Sequence, residues 1–438
     1  MPTDVRSAGV TRASQQRNLG VQRQSKRLSS SVVAVLGLGY VGIPLAKAFA
    51  KSHKVIGFDV NSQRVSELRG SQQNLVVTGD PQQLRQADFI IIAVPTPVTK
   101  SKQPDMSYID SACHLIRHNL KKGAVVILES TVYPGVTEEV VRPILEQSGL
   151  QCGRDFKIAY CPERMNPGDE EHTLETVTKV VSGMDEETSE LVFTLYSEIC
   201  PKVFKAIDIR TAEAAKVIEN IQRDLNIALV NEFALIFDKL GLNTREVLKT
   251  ASTKWNFLPF SPGLVGGHCI PVDPYYLVYK AKEVGYHPQV ILAGRAINDF
   301  MADHVAEIAI KAINNAEKVI RRSKVLIMGL TYKENVPDTR ESPAMEIIKH
   351  LKEYGLTVLA YDPLVDNIAE QFDIEAVSDL TSVKDVDCII VTVAHKAFKA
   401  LGFEQLRQIS NHRPVLLDVR GIFDPSEAVR RGFDYYTL

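Results

Sequence analysis

Residues 31–50 read SVVAVLGLGYVGIPLAKAFA. A β-branched apolar run ends at Gly37, and a helical pattern takes over from Val41. Between them, Gly37-Leu38-Gly39-Tyr40-Val41-Gly42 fits GxGxxG. The motif alone is weak. Directly after a strand and opening a helix, it signals a dinucleotide site. Gly37 permits the tight turn, Gly39 lets backbone approach a pyrophosphate, and Gly42 lets helix and strand pack closely. Tyr40 and Val41 lie in the same turn, whose unpaired N–H groups face the phosphates. Asp59 ends the next apolar run, HKVIGFDV, where a ribose diol would be held. A carboxylate there favours NAD over NADP. Arg64 is the competing signal, since a nearby arginine accepts a 2′-phosphate.

Working outward, ADFIIIAVPTP, GAVVILESTVYPG, FKIAYCPER and TKVVSG are further apolar runs, several closed by Pro or Gly. Such runs alternating with helical segments predict a parallel sheet covered on both faces. From Thr211 the pattern changes to a long helical period without Pro or Gly until Gly241. A helix this long joins domains and packs against a copy of itself; two helices with an unmarked break are the alternative. A second α/β block starts at SKVLIMGL and continues with LTVLAYDP, VDCIIVTVAH and PVLLDVRGIF. It has Gly329 but no GxGxxG, so a different ligand is expected there. The predicted fold is α/β, with two Rossmann-like doubly wound domains joined by a helical segment containing a long central helix. The expected parts are a disordered basic tail (1–30), an NAD-binding domain (31–209), a helical central and dimerisation domain (210–320) and a second Rossmann-like domain (321–438).

Composition sets bounds on function. A net charge of −2 over 438 residues gives no reason to expect nucleic acid or a membrane as partner. No apolar run reaches the ~20 residues of a spanning helix. The six cysteines show neither CxxC pairs nor zinc-type spacing, so no metal is expected and the cytoplasm is the natural compartment. The first thirty residues lack the apolar stretch of a signal peptide. They read as a disordered tail, with a transit peptide as the alternative.

The chemistry points to GLVGGHCIPVDP. A lone cysteine is usually a small buried hydrophobe. Here Gly266 and Gly267 precede Cys269 in a Pro-rich loop, and glycines let substrate and backbone come close. Asp273 follows four residues on. His268 is adjacent and is read as structural rather than as a base. With GLGYVG, VPTP, ESTVYPG, CPER, AAKVIEN…NE, GGHCIPVDP and GLTYKENVPDTRESP in this order, the chain resembles the UDP-glucose/GDP-mannose dehydrogenases from about Val32 to its end.

That resemblance implies a four-electron oxidation with two NAD in succession. Carbon 6 of the sugar passes through an aldehyde, a thiohemiacetal on Cys269 and a thioester that water opens. It implies that Lys216 and Asn220, four apart on one helical face, hold the developing oxyanion. It also implies that Asp273 orients Lys216 or water, that Thr131 positions water near carbon 6, and that Glu163 helps activate the hydrolytic water. Thr96 and Thr131 would face the dinucleotide. Arg164, Gly263, Gly266, Lys333 and Arg340 would contact the sugar nucleotide, with Arg340 reaching the neighbouring subunit's site in a homodimer or higher homo-oligomer. Glucose-type members carry a second glutamate where this chain has Pro167. Together with ENIQRDLNIALVNE and KWNFLPFSPGLVGGHC, this is most similar to members acting on UDP-N-acetylhexosamines. Those members supply uronic acids for surface polysaccharides such as Vi antigen and O-antigens. UDP-glucose, UDP-N-acetylmannosamine and GDP-mannose remain alternative substrates. A two-electron hydroxyacid dehydrogenase or an NAD-binding sensor would have no use for Cys269.

Overall fold

The structure, a computed structural model, describes Leu28 and residues 30–165 and 171–438. The Pro167 position and nearly all of the expected tail lie outside the described residues. Leu28, assigned to the tail by the sequence, is 1% exposed and belongs to the first core. The chain divides into two compact units, Met1–Val217 and Ile218–Leu438.

The first unit is built on eight strands: β1 (Val32–Leu36), β2 (Lys54–Phe58), β3 (Leu75–Thr78), β4 (Phe89–Ile92), β5 (Val125–Leu128), β6 (Lys157–Tyr160), β7 (Lys179–Gly183) and β8 (Val203–Lys205). Their order is β3-β2-β1-β4-β5-β6-β7-β8. The strand order reverses at β1, and the glycine loop leaves β1 at its carboxyl end, where ligands bind in open α/β sheets. The sheet is not wholly parallel: β6 and β7 pair antiparallel. A parallel return needs a crossover, usually a helix, and no helix is assigned to the described residues between these two strands.

The second unit repeats the plan. Its strands are β9 (Lys324–Met328), β10 (Thr357–Tyr361), β11 (Glu375–Ala376), β12 (Val386–Val391), β13 (Ser410–Asp418) and β14 (Asp434–Tyr436), in the order β11-β10-β9-β12-β13-β14. Alternate residues feed opposite faces, as the period of two demands. Val325 and Ile327 enter one core, while Leu326 and Met328 enter the other. The helix Gln289–Asn315 places Met301, Val305, Ala309 and Ile313 in the same core as Val325 and Ile327. That shared core groups the helical middle of the chain with the second sheet. The long helix is continuous over 32 residues, Ile209–Leu240. It stops at Gly241, whose φ of +66° suits glycine and ends the helix.

Candidate active site

In the first unit the three glycines have separate jobs. Gly37 has φ +88°, and a Cβ there would lie 2.6 Å from the Ala93 carbonyl oxygen. A Cβ on Gly42 would lie 1.8 Å from the Gly37 carbonyl oxygen. The fold itself therefore requires both. A Cβ on Gly39 would meet nothing within 4 Å. That open space is what a pyrophosphate approaching the backbone needs. Asp59 accepts the Leu38 N–H at 2.8 Å and the Asn61 N–H at 2.9 Å. Arg64 donates to the Leu38 carbonyl at 3.1 Å and faces Glu67 at 3.5 Å. Both residues thus brace the glycine loop, and Arg64 is partly engaged rather than presented free to a 2′-phosphate.

Thr96 and Thr131 follow β4 and β5 at the same carboxyl edge, both half-buried. Glu163 follows β6 and is 7% exposed. Its Oε1 accepts the N–H groups of Arg164 (2.6 Å) and Met165 (2.5 Å), and the Arg164 guanidinium donates to the Thr178 carbonyl at 3.0 Å. The loop that follows Thr131 is fixed by a residue the sequence reading missed. Glu213, fully buried on the long helix, accepts from Gly135 N (2.5 Å), Thr137 N (2.9 Å) and Thr137 Oγ1 (2.6 Å). Burial pushes its carboxyl up to about 7, against the pull of those donors. With an ordinary value of 4.5, its contribution to stability is whole below about 4.5 and declines as pH rises through about 7. Glu213→Gln mimics the protonated form. Its melting temperature relative to wild type should therefore rise between pH 5 and pH 8; a constant difference across thermal scans would contradict this.

In the second unit, Asn220 donates to Asp273 Oδ2 at 2.5 Å. Asp273 is 2% exposed and begins the helix Asp273–Glu283. Lys216 lies half-buried one turn earlier on the long helix. The Cys269 carbonyl accepts from Val272 N (3.1 Å) and Asp273 N (2.8 Å), which fixes the cysteine one turn ahead of that helix. Cys269 is half-buried. Burial pushes the Cys113 and Cys200 thiols up to about 12 and about 11, and raises Cys152, Cys161 and Cys388 as well. Those five are poor sources of thiolate.

The Cys269 loop is seated on the loop after β9. A Cβ on Gly266 would lie 2.7 Å from both the Glu341 carbonyl oxygen and Pro343 Cδ, and one on Gly267 would lie 2.7 Å from the Tyr332 ring. These glycines thus admit the close approach of protein neighbours. Burial, then Asp338 and Cys269, push the Tyr332 hydroxyl up to about 12. Arg340 chelates Asp338 (2.7–3.2 Å) and donates to His268 Nε2 at 2.9 Å. A ring nitrogen that accepts from a guanidinium carries no proton itself. Burial, then Arg340, lower the basicity of His268. The ring packs against Tyr332, and its Nε2 also lies 3.3 Å from Asp338 Oδ2. Lys333 is half-buried in the same loop. Gly263 spends its N–H and C=O on Asn231, at 2.8 and 3.0 Å. Asn231 also donates to Asn298 at 2.8 Å, and Asn298 to Asp224, which pairs with Arg295 at 2.6 Å. This buried chain anchors the loop to two helices. Its sequence signal was the NE of the AAKVIEN…NE motif.

Residues 31–77 and 70–200 match the NAD binding domain of the UDP-glucose/GDP-mannose dehydrogenase family. Residues 210–300 match its central domain, and residues 326–425 its UDP binding domain. The chain belongs to that family. It is an NAD-dependent nucleotide-sugar dehydrogenase. It is 47% identical to a UDP-N-acetyl-D-glucosamine 6-dehydrogenase of Pseudomonas aeruginosa, over 90% of this chain and 98% of that one. It is 45% identical to the enzyme of the same name from Salmonella typhi, over 90% and 97%. A UDP-D-ManNAc dehydrogenase structure from Pyrococcus horikoshii superposes with a TM-score of 0.85 at 31% identity, covering 93% of this chain and 99% of that one.

The dehydrogenase's two sheets are not interchangeable, and their turns say why. Gly329 in the second sheet repeats the positive φ of Gly37, at +102°. Asp362 repeats Asp59, accepting the Leu330 N–H at 2.7 Å. Asp362 also takes Thr331 N (3.3 Å), His395 Nε2 (3.2 Å) and Leu364 N (2.9 Å), and it is 4% exposed. Four donors thus occupy this buried carboxylate, which disfavours a ribose diol there. The open cradle at Gly39 belongs to the NAD domain. The second sheet, lacking it, is the UDP-binding one. No helix among the described residues is long and apolar enough to cross a membrane.

Proposed function

We propose that this chain oxidises carbon 6 of a UDP-N-acetylhexosamine, UDP-N-acetylglucosamine or its galacto epimer, to the uronic acid. The observation that carries the substrate is the 45–47% identity to UDP-N-acetyl-D-glucosamine 6-dehydrogenases, against 31% to the manno-type structure. The alcohol first loses a proton and a hydride and becomes an aldehyde. The Cys269 thiolate adds to it, giving a tetrahedral thiohemiacetal. Loss of a second hydride leaves a thioester, and water displaces the sulfur to release the carboxylate. NAD, when bound, accepts one hydride in each oxidation. A free aldehyde is a poor hydride donor and escapes; the covalent adduct is a good donor and stays. In this reading Lys216 and Asn220 stabilise the oxyanion, with Asp273 holding the Asn220 amide. Thr131 positions water, and Glu163 takes its proton. Lys333 and Arg340 serve the sugar nucleotide.

The working form is a cytoplasmic homodimer or higher homo-oligomer that feeds surface polysaccharide synthesis. A stripe on the long helix supports the assembly: Ile218, Leu229, Ile236 and Leu240 are 45–63% exposed and share one helical face. A site shaped for an N-acetyl group leaves polar groups unpaired when a plain hydroxyl binds, at about 1–3 kcal/mol each. UDP-N-acetylglucosamine or UDP-N-acetylgalactosamine should therefore exceed UDP-glucose by at least about tenfold in kcat/KM. NADH formation against a sugar-nucleotide panel tests this. Higher efficiency with UDP-glucose, UDP-N-acetylmannosamine or GDP-mannose overturns the substrate while leaving the thioester route standing.

A further inference from the structure

The antiparallel step in the first sheet brings a lysine to the edge where Thr131 and Glu163 sit. β6 and β7 pair with Ala159 opposite Gly183 and Tyr160 opposite Ser182. Extending that register past Tyr160 sets Glu163 opposite Lys179, the first residue of β7. Lys179 is 1% exposed. Its Nζ lies 2.7 Å from Glu129 Oε2 and 3.7 Å from Glu163 Oε2. Glu129, just past β5, takes the Tyr196 hydroxyl on its other oxygen at 2.5 Å, and the Tyr196 ring lies 4.9 Å from the ammonium. Backbone N–H groups hold Glu163 Oε1. Glu163 Oε2 is buried with no hydrogen-bond donor among the described residues.

One ammonium thus faces two carboxylates. Burial opposes the Lys179 charge, but Glu129 and Glu163 outweigh it and hold the group protonated. Burial pushes Glu129 up to about 7, with Lys179 pulling the other way. The neighbouring Cys161 and Cys200 thiols are both raised by burial, and so is the Tyr196 hydroxyl, so none supplies a competing charge. A buried cluster of this kind is a poor way to gain stability, since apolar side chains of similar volume do as well or better. Its position at the carboxyl edge points to a role in the reaction.

We infer that Lys179, anchored by Glu129 and Tyr196, is a positioning residue for Glu163, fixing the carboxylate for attack of water on the Cys269 thioester. This rests on the hydrolytic role of Glu163 proposed above. In that step the water oxygen bonds to the thioester carbonyl carbon and one water proton passes to Glu163. The C–S bond breaks with its electron pair on the Cys269 sulfur, and the proton on Glu163 then passes to that thiolate.

The test separates hydrolysis from the hydride steps. Enzyme is mixed with UDP-N-acetylglucosamine and NAD, NADH is followed by stopped flow, and intact protein mass is read after acid quench. Lys179→Met should give a burst of two NADH per active site, then turnover slowed at least about tenfold, with the acyl adduct on Cys269. Lys179→Arg should restore much of the turnover. A merely structural role lowers burst and turnover together and leaves no adduct, which overturns the inference. Glu163→Gln is the reference. If it accumulates no adduct, the hydrolytic role of Glu163 fails; if it does and Lys179→Met does not, only the Lys179 role fails. Should Lys179→Met not fold, Glu129→Gln decides the matter. It keeps an acceptor but loosens the ammonium, so adduct accumulation supports the role and wild-type partitioning overturns it.

Discussion

Cys269→Ser protein should form no net uronic acid, with turnover to the acid reduced by at least about a thousandfold, or about 4 kcal/mol. A serine hydroxyl is scarcely ionised near neutral pH, whereas an ordinary thiol supplies a few per cent of thiolate. The first hydride step does not need sulfur, so the variant should still reach the aldehyde level. Chromatographic assay of uronate beside NADH readings checks both halves of this expectation. Full uronate production by the purified variant would remove Cys269 from the reaction. The other five cysteines are not substitutes, because each thiol is raised above its ordinary range, in every case chiefly by burial.

Gly267→Ala should cost about a hundredfold in kcat, although position 267 need not touch substrate. Gly267 has φ +87°, and an added Cβ would lie 2.7 Å from two Tyr332 ring atoms. The left-handed backbone alone costs an alanine about 1–2 kcal/mol. Relieving the clash moves either Tyr332 or the loop, and the loop carries Cys269 two residues on. A misplacement of about 1 Å at a reacting group is worth about two decades in rate. Steady-state kinetics with circular dichroism distinguishes this from unfolding: the far-UV spectrum should be retained while kcat falls. Wild-type turnover would mean that the Tyr332 seat does not place the cysteine.

Central apolar strands were readable because both their faces are buried, so their composition is extreme. β1, β4, β5, β9 and β12 all stand out as runs. The strands that escaped notice are β3, β8, β11 and β14, and these are the edge strands of the two sheets. An edge strand is covered on fewer sides and needs less apolar surface; both residues of β11 are exposed. The antiparallel step at β7 escaped for a different reason. Strand direction depends on the path of the link, which apolar periodicity does not encode.

Residues whose chemistry is local were legible in the same way. GLGYVG before a helix implies a phosphate cradle, and a cysteine between GGH and IPVDP marks the candidate nucleophile. What the sequence by itself determined is therefore the α/β plan, the dinucleotide loop with Asp59, the long helix to Gly241 and Cys269 as the candidate nucleophile. The tertiary structure alone decided which partners those residues have. It set Tyr332, Glu341 and Pro343 against Gly266 and Gly267, and Asn231 on Gly263. It also tied Glu213 to the loop after Thr131 and put Lys179 between Glu129 and Glu163. The physical reason is range. Backbone conformation and side-chain chemistry are set within a few residues, whereas a buried polar group must find its partner wherever the fold brings one, here 16 to 78 residues away.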